Sequence, residues 1–145
     1  MTPIQLLNET NIHDVILKID EIQGYEKEKR TLAIFIARMA QDYMPAKFLE
    51  AFNIAERHIN GLATDEELRN GIPTEADLSE VFDDIVLNDL AATGAFAAYD
   101  AAIAAYECPD VYGTTLAVIR NKTAIARHSV YKSIEAKFRE LFEEK

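Results

Sequence analysis

The chain has 145 residues, 49% of them apolar, with one cysteine and a formal net charge of −10. That length suits one domain with a substantial core, and a single thiol excludes an internal disulfide and fits a reducing cytoplasm. No window approaches the ~20 apolar residues of a membrane span, and Met1-Thr2-Pro3-Ile4-Gln5 lacks the basic start and apolar run of a secretion signal.

Residues 1–10 read as an irregular lead-in or a short helix. Asn11 or Thr10 then caps a helix to about Gln23, with Ile12, Val15, Ile16, Ile19 and Ile22 on one face and Gly24 as its stop. A second helix runs from about Tyr25 to Tyr43. Its front is charged (Glu26, Lys27, Glu28, Lys29, Arg30), and its body carries Leu32, Ile34, Phe35, Ile36 and Met39 on more than one side. Such a helix is expected to be central and largely surrounded. Pro45 opens a third helix, with Phe48, Phe52, Ala55 and Ile59 as its buried stripe and Lys47, Glu50, Asn53, Arg57 and Asn60 facing water.

Residues 55–68 then spell a helix end, a loop and a new start. Gly61 has no Cβ to oppose a left-handed stop, and Thr64 with Glu67 has the spacing of a capping box. The short helix from Thr64 ends at Asn70-Gly71. Thr74 caps the next one, with Glu75, Asp77 and Glu80 near its positive end and Leu78, Val81, Phe82 and Ile85 as its apolar residues. Beyond Asn88, Thr93-Gly94 is a point where a helix bends or breaks. In the Ala-rich stretch Ala91–Tyr106, the residues Phe96, Tyr99, Ile103 and Tyr106 share a face. Cys108-Pro109-Asp110 ends that helix. The last helix, from Val111 or Thr114 to Glu143, carries the stripe Leu116, Ile119, Thr123, Ala126, Val130, Ile134, Phe138, Leu141 over roughly eight turns. No strand-like alternation occurs.

The charge is uneven. Residues 50–107 hold thirteen acids against Arg57 and Arg69, while the flanking segments are close to neutral. An acidic centre opposes binding to nucleic acid, which requires clustered Lys and Arg. It favours a basic protein partner, although acidity also serves solubility alone. Arg120, Lys122, Arg127, Lys132, Lys137 and Arg139 are scattered around the last helix and suit ion pairs within the fold better than a phosphate stripe.

Metal and catalytic motifs are sparse. A ferritin-like Glu-x-x-His pair fails at each histidine, because Thr10, Ala55 and Ile125 stand three residues before His13, His58 and His128. His-Glu-x-x-His and Cys-rich zinc patterns are missing. Glu80, Asp83, Asp84 and Asp100 read as a solvated acidic face rather than an acid–base group. Cys108 lies at a helix end beside Pro109, not at the helix N-terminus where a thiolate is stabilised. Gly-x-Ser-x-Gly and the glycine-rich phosphate loops do not occur.

The run Arg30–Ala40 and the stretch Phe48–Leu68, with Ala55-Glu56-Arg57 and Gly61-Leu62-Ala63-Thr64-Asp65-Glu66-Glu67-Leu68, resemble a pattern in uncharacterised all-helical bacterial and phage proteins. Some of those are labelled immunity proteins of bacterial toxin systems. The likeness covers about residues 30–70, with looser support from Ala91–Ala105 and from Glu135–Phe142. His58 stands where an aromatic such as Tyr is usual, and Gly71-Ile72-Pro73 interrupts a run that is often continuous. The resemblance implies a helical fold and no catalytic residues.

The expected architecture is all-α: residues 1–145 as a single bundle of five or six helices with a long C-terminal helix. The expected function is that of a small cytoplasmic inhibitor, immunity-type or phage-encoded. It would occupy a basic protein surface, such as the nucleic-acid groove of an enzyme, without catalysis, cofactor, metal or membrane. Glu75, Asp77, Glu80, Asp83, Asp84 and Asp89 are the candidate contacts. One alternative is a structural protein that forms a homodimer through the Ala-rich face with Phe96 and Tyr99. Another is a bundle enzyme or metal protein whose site is assembled from distant residues.

Overall fold

Thr2 makes the lead-in a helix. Its hydroxyl accepts from the Gln5 N–H at 3.1 Å while Gln5 Oε1 accepts from the Thr2 N–H at 2.8 Å, and Pro3 occupies the first helical position. Residues expected to include an irregular lead-in therefore form α1 (Pro3–Glu9), anchored by buried Leu7. The computed structural model describes residues 2–74, 76, 77, 79, 80, 89–106, 110–119, 122 and 124–143, with the backbone alone at 89–92, 94 and 103–106.

Asn11 accepts from the Asp14 N–H at 2.9 Å and starts α2 (Ile12–Lys18), which tightens into a 3₁₀ turn over Ile19–Glu21. Ile12, Val15, Ile16 and Ile19 are buried as their spacing predicts. Gly24 (φ 84°) and Tyr25 (φ 59°) then reverse the chain into α3 (Glu26–Arg38). Leu32, Ala33, Ile34, Ile36 and Ala37 bury more than one side of α3, so it is the central helix. A second 3₁₀ turn, Gln41–Tyr43, leads to Pro45 and α4 (Ala46–Ile59), whose Phe48, Ala51, Phe52 and Ala55 face the core.

The hairpin after α4 forms as read. Gly61 takes φ 76°, and the Leu62 N–H donates to the Arg57 carbonyl at 2.8 Å. Thr64 Oγ1 accepts from the Glu67 N–H at 3.1 Å, and Glu67 Oε1 accepts from the Thr64 N–H at 3.2 Å. These bonds open α5 (Asp65–Gly71), which seats Leu68 in the core. Thr74 makes the same type of exchange with Asp77, at 3.2 and 2.8 Å. Leu78, Val81, Phe82 and Ile85 lie outside the described residues.

Two expectations are corrected in the C-terminal half. Helix α6 (Asp89–Tyr106) continues through Thr93-Gly94 without a break, and Thr93 is buried. Its buried face is the alanine face: Ala95, Ala97, Ala98, Ala101 and Ala102 are fully buried, while Phe96 and Tyr99 are half-buried. Alanine wins because α6 packs against α3, α4, α5 and α7 at once, and small side chains let several backbones approach. The last helix is two helices, α7 (Val111–Ile119) and α8 (Ala124–Phe142). At the end of α7 the Ile119 carbonyl accepts from the Lys122 N–H at 3.0 Å and from Arg127 Nε at 3.1 Å. That carbonyl is thus satisfied by a backbone N–H and a side chain. The split leaves Leu116 exposed and keeps Val130, Ile134, Phe138 and Phe142 buried.

The described residues thus form eight α-helices and no strand. Helix α3 lies at the centre against α4, α6, α7 and α8, with α1 and α2 closing the α7–α8 side. The 19 residues of α8 span about 28 Å, so it is the long C-terminal helix of an all-α bundle.

Candidate functional site

The predicted acidic contacts do not form one described surface. Asp77 is drawn inward, 13% exposed, and accepts from Lys47 Nζ of α4 at 2.6 Å. The bond to Lys47, then that to the Thr74 N–H, holds the Asp77 carboxyl below its ordinary range; the same bond raises Lys47. Glu80 is exposed. Glu75, Asp83 and Asp84 lie outside the described residues, as does Cys108, and Asp89 is described by its backbone alone. The described part of the acidic segment instead presents the first turn of α5, where Asp65, Glu66 and Glu67 are exposed beside Leu62.

Asp100 belongs to the same acidic stretch of the sequence but not to an exposed face of it. It stands half-buried on α6, where burial and then the charge of Asp110 push its carboxyl up to about 7. Asp110 and Asp20 both serve the start of α7. Asp110 Oδ1 accepts from the Gly113 N–H at 2.8 Å, and the Asp20 carboxylate accepts from the Val111 and Tyr112 N–H groups at 2.9 and 3.1 Å. Burial outweighs those two bonds and raises the Asp20 carboxyl, with the charge of Asp110 acting the same way. These carboxylates meet the orphan donors of a helix end. Among the described residues, no group of three or more His, Cys, Asp or Glu is placed to hold a metal ion, and no helix is long and apolar enough to cross a membrane.

Among the described residues, concave surface is found along α3. One hollow of about 190 Å³ lies between α3, α4 and α8; its walls include Phe35, Arg38, Glu56 and Lys137. Arg38 pairs with Glu56 across it and sits 5.5 Å from the Phe52 ring centroid. Lys137 of α8 lies 5.7 Å from the Phe35 centroid and 3.2 Å from Glu140. These cations stack on rings with their charges matched, which makes this part of the groove a clamp between helices.

A second hollow, about 270 Å³, lies where α3 begins and α4 ends, lined by Glu26, Lys27, Arg30, His58 and Ile59. Here the polar groups are not matched. Arg30 Nε and His58 Nδ1 are both buried and have no hydrogen-bond partner among the described residues. On its far side the His58 ring is held by Asp65 of α5, Nε2 to Oδ1 at 2.6 Å. A carboxylate only accepts, so Nε2 carries the proton of that bond and Nδ1 is the free ring position. Glu26 lies 4.0 Å from Lys29, whose ammonium is buried and donates to the Ile22 carbonyl.

Sequence reasoning passed over these residues. The front of α3 reads as a charged stretch, and His58 enters only through the failed Glu-x-x-His pattern and as a departure from an aromatic position. The available signal was Arg30 and Arg38, two cations eight residues apart on one side of an otherwise core-seeking helix. Comparison with known protein families, with curated proteins and with solved structures finds no match to this chain.

Proposed function

We propose that the protein is a non-catalytic binding protein whose acidic segment occupies a basic surface of another protein, as an immunity-type or phage-encoded inhibitor does. The observation that carries this reading is the thirteen acids against two arginines over residues 50–107. In the described part of that segment Glu66, Glu67 and Glu80 stand exposed. Complementary potentials of this kind steer encounter and set register. Asp77 anchors the segment to α4 through Lys47. Glu75, Glu80, Asp83, Asp84 and Asp89 remain the offered contacts, joined by the first turn of α5. The Ala-rich face does not serve a homodimer in this reading, since Ala95, Ala97, Ala98, Ala101 and Ala102 are consumed inside the bundle.

The test is capture of the partner from the source cell, followed by titration with the Asp83→Lys/Asp84→Lys and Glu66→Lys/Glu67→Lys pairs. Each pair is expected to weaken binding by about tenfold or more, with affinity falling as salt rises. Unchanged, salt-insensitive binding overturns the acidic-surface mechanism.

A further inference from the structure

We propose that the hollow between the start of α3 and the end of α4 is a binding site for the phosphoryl group of a small molecule, held by Arg30, His58 and Lys27. The argument begins from two buried atoms that lack partners, Arg30 Nε and His58 Nδ1. A buried polar group without a hydrogen bond is destabilising, and native proteins rarely tolerate two in one place. Both atoms belong to residues that line the same hollow of about 270 Å³.

The chemistry of the two atoms narrows the ligand. Arg30 Nε–H is a donor only. His58 is held in one tautomer by Asp65 at 2.6 Å, so neutral Nδ1 offers a lone pair and the imidazolium offers an N–H. A phosphoryl group bearing one proton suits either form. A bare oxygen accepts from Arg30, while the P–OH donates to neutral Nδ1 or another bare oxygen accepts from the imidazolium. A group without a proton suits only the charged ring.

Local charge agrees. Lys27 and Arg30 supply two cations to the hollow, and its one carboxylate, Glu26, already faces Lys29 at 4.0 Å. Asp65 meets His58 from the other side of the ring. In a chain of net charge −10, Lys27 and Arg30 give this hollow a local cationic bias. Its volume is below the ~300 Å³ at which ligand pockets usually begin, so the ligand is of metabolite size. The proposal does not depend on the acidic surface or on any protein partner.

Inorganic phosphate is the probe, titrated into the full chain while the His58 ring nitrogens and the phosphorus are followed by NMR. A saturable shift at His58 Nδ1 and at the phosphorus is expected, with affinity weakened about tenfold by Arg30→Gln and, read from the phosphorus, by His58→Gln, and less strongly by Lys27→Gln. The exposed Lys27 position keeps the test informative if either inner variant loses its fold, which a thermal melt reports. Absence of a saturable shift overturns the proposal. So does equal affinity in Lys27→Gln and the parent, which would mean an adventitious ion only.

Discussion

Asp20 and Val111 are separated by 91 positions and joined by a 2.9 Å hydrogen bond, carboxylate to backbone N–H. Asp20 also accepts from Tyr112 at 3.1 Å, so one side chain from the α2 region caps α7 from outside. Asp110 caps the same helix from within, through Gly113 at 2.8 Å. The cap ties the N-terminal helices to the C-terminal pair. Asp20→Ala is expected to lower stability by ~1–2 kcal/mol, measured by urea unfolding. Asp20→Asn keeps an acceptor and should lose less. Equal stability of Asp20→Ala and the parent would show that this cap contributes nothing.

Asp100 sets a pH dependence of opposite sign to that of a paired carboxylate. Its pKa rises from 3.8 to about 7 on folding, through burial and then the charge of Asp110. Between those values the folded chain holds a proton that the unfolded chain has released. The stabilisation is therefore full below pH ~4 and is lost progressively up to about 7, by ~4 kcal/mol as an upper bound. Asp100→Asn mimics the protonated form. It is expected to match the parent near pH 4 and to melt higher at pH 8. A variant less stable than the parent at pH 8 would contradict this.

Ala101 is fully buried on α6, where that helix meets its neighbours. Ala101→Leu forces those helices apart and is expected to cost ~1–3 kcal/mol, or several degrees of Tm in a chain of this size. Ala136, exposed on α8, is the control: Ala136→Leu should leave Tm within about a degree or two. Similar melting of both variants would mean that α6 is loosely packed.

The parts of the fold legible in advance are those closed by short chemical loops. The capping pairs at Asn11, Thr64 and Thr74 each join residues three apart, and the stop at Gly61 needs only its own φ of 76°. The isoleucine stripe of α2 and the many-sided burial of α3 followed from helical spacing. The candidate site was poorly legible. Arg30 and His58 are 28 positions apart in the sequence, and neither belongs to a spaced motif.

What the sequence determined alone, then, is an all-helical chain with its hairpin and its acidic middle, because caps, periodicity and charge act over a few residues or by simple sum. The tertiary structure decided that alanines take the fully buried positions on α6, with Phe96 and Tyr99 half-buried against the core. It decided that the last helix divides after Ile119, and that Asp20 reaches α7. It also decided which buried donors lack partners beside α3. Each of those outcomes depends on which backbones come close, and that is settled only when all the helices pack together.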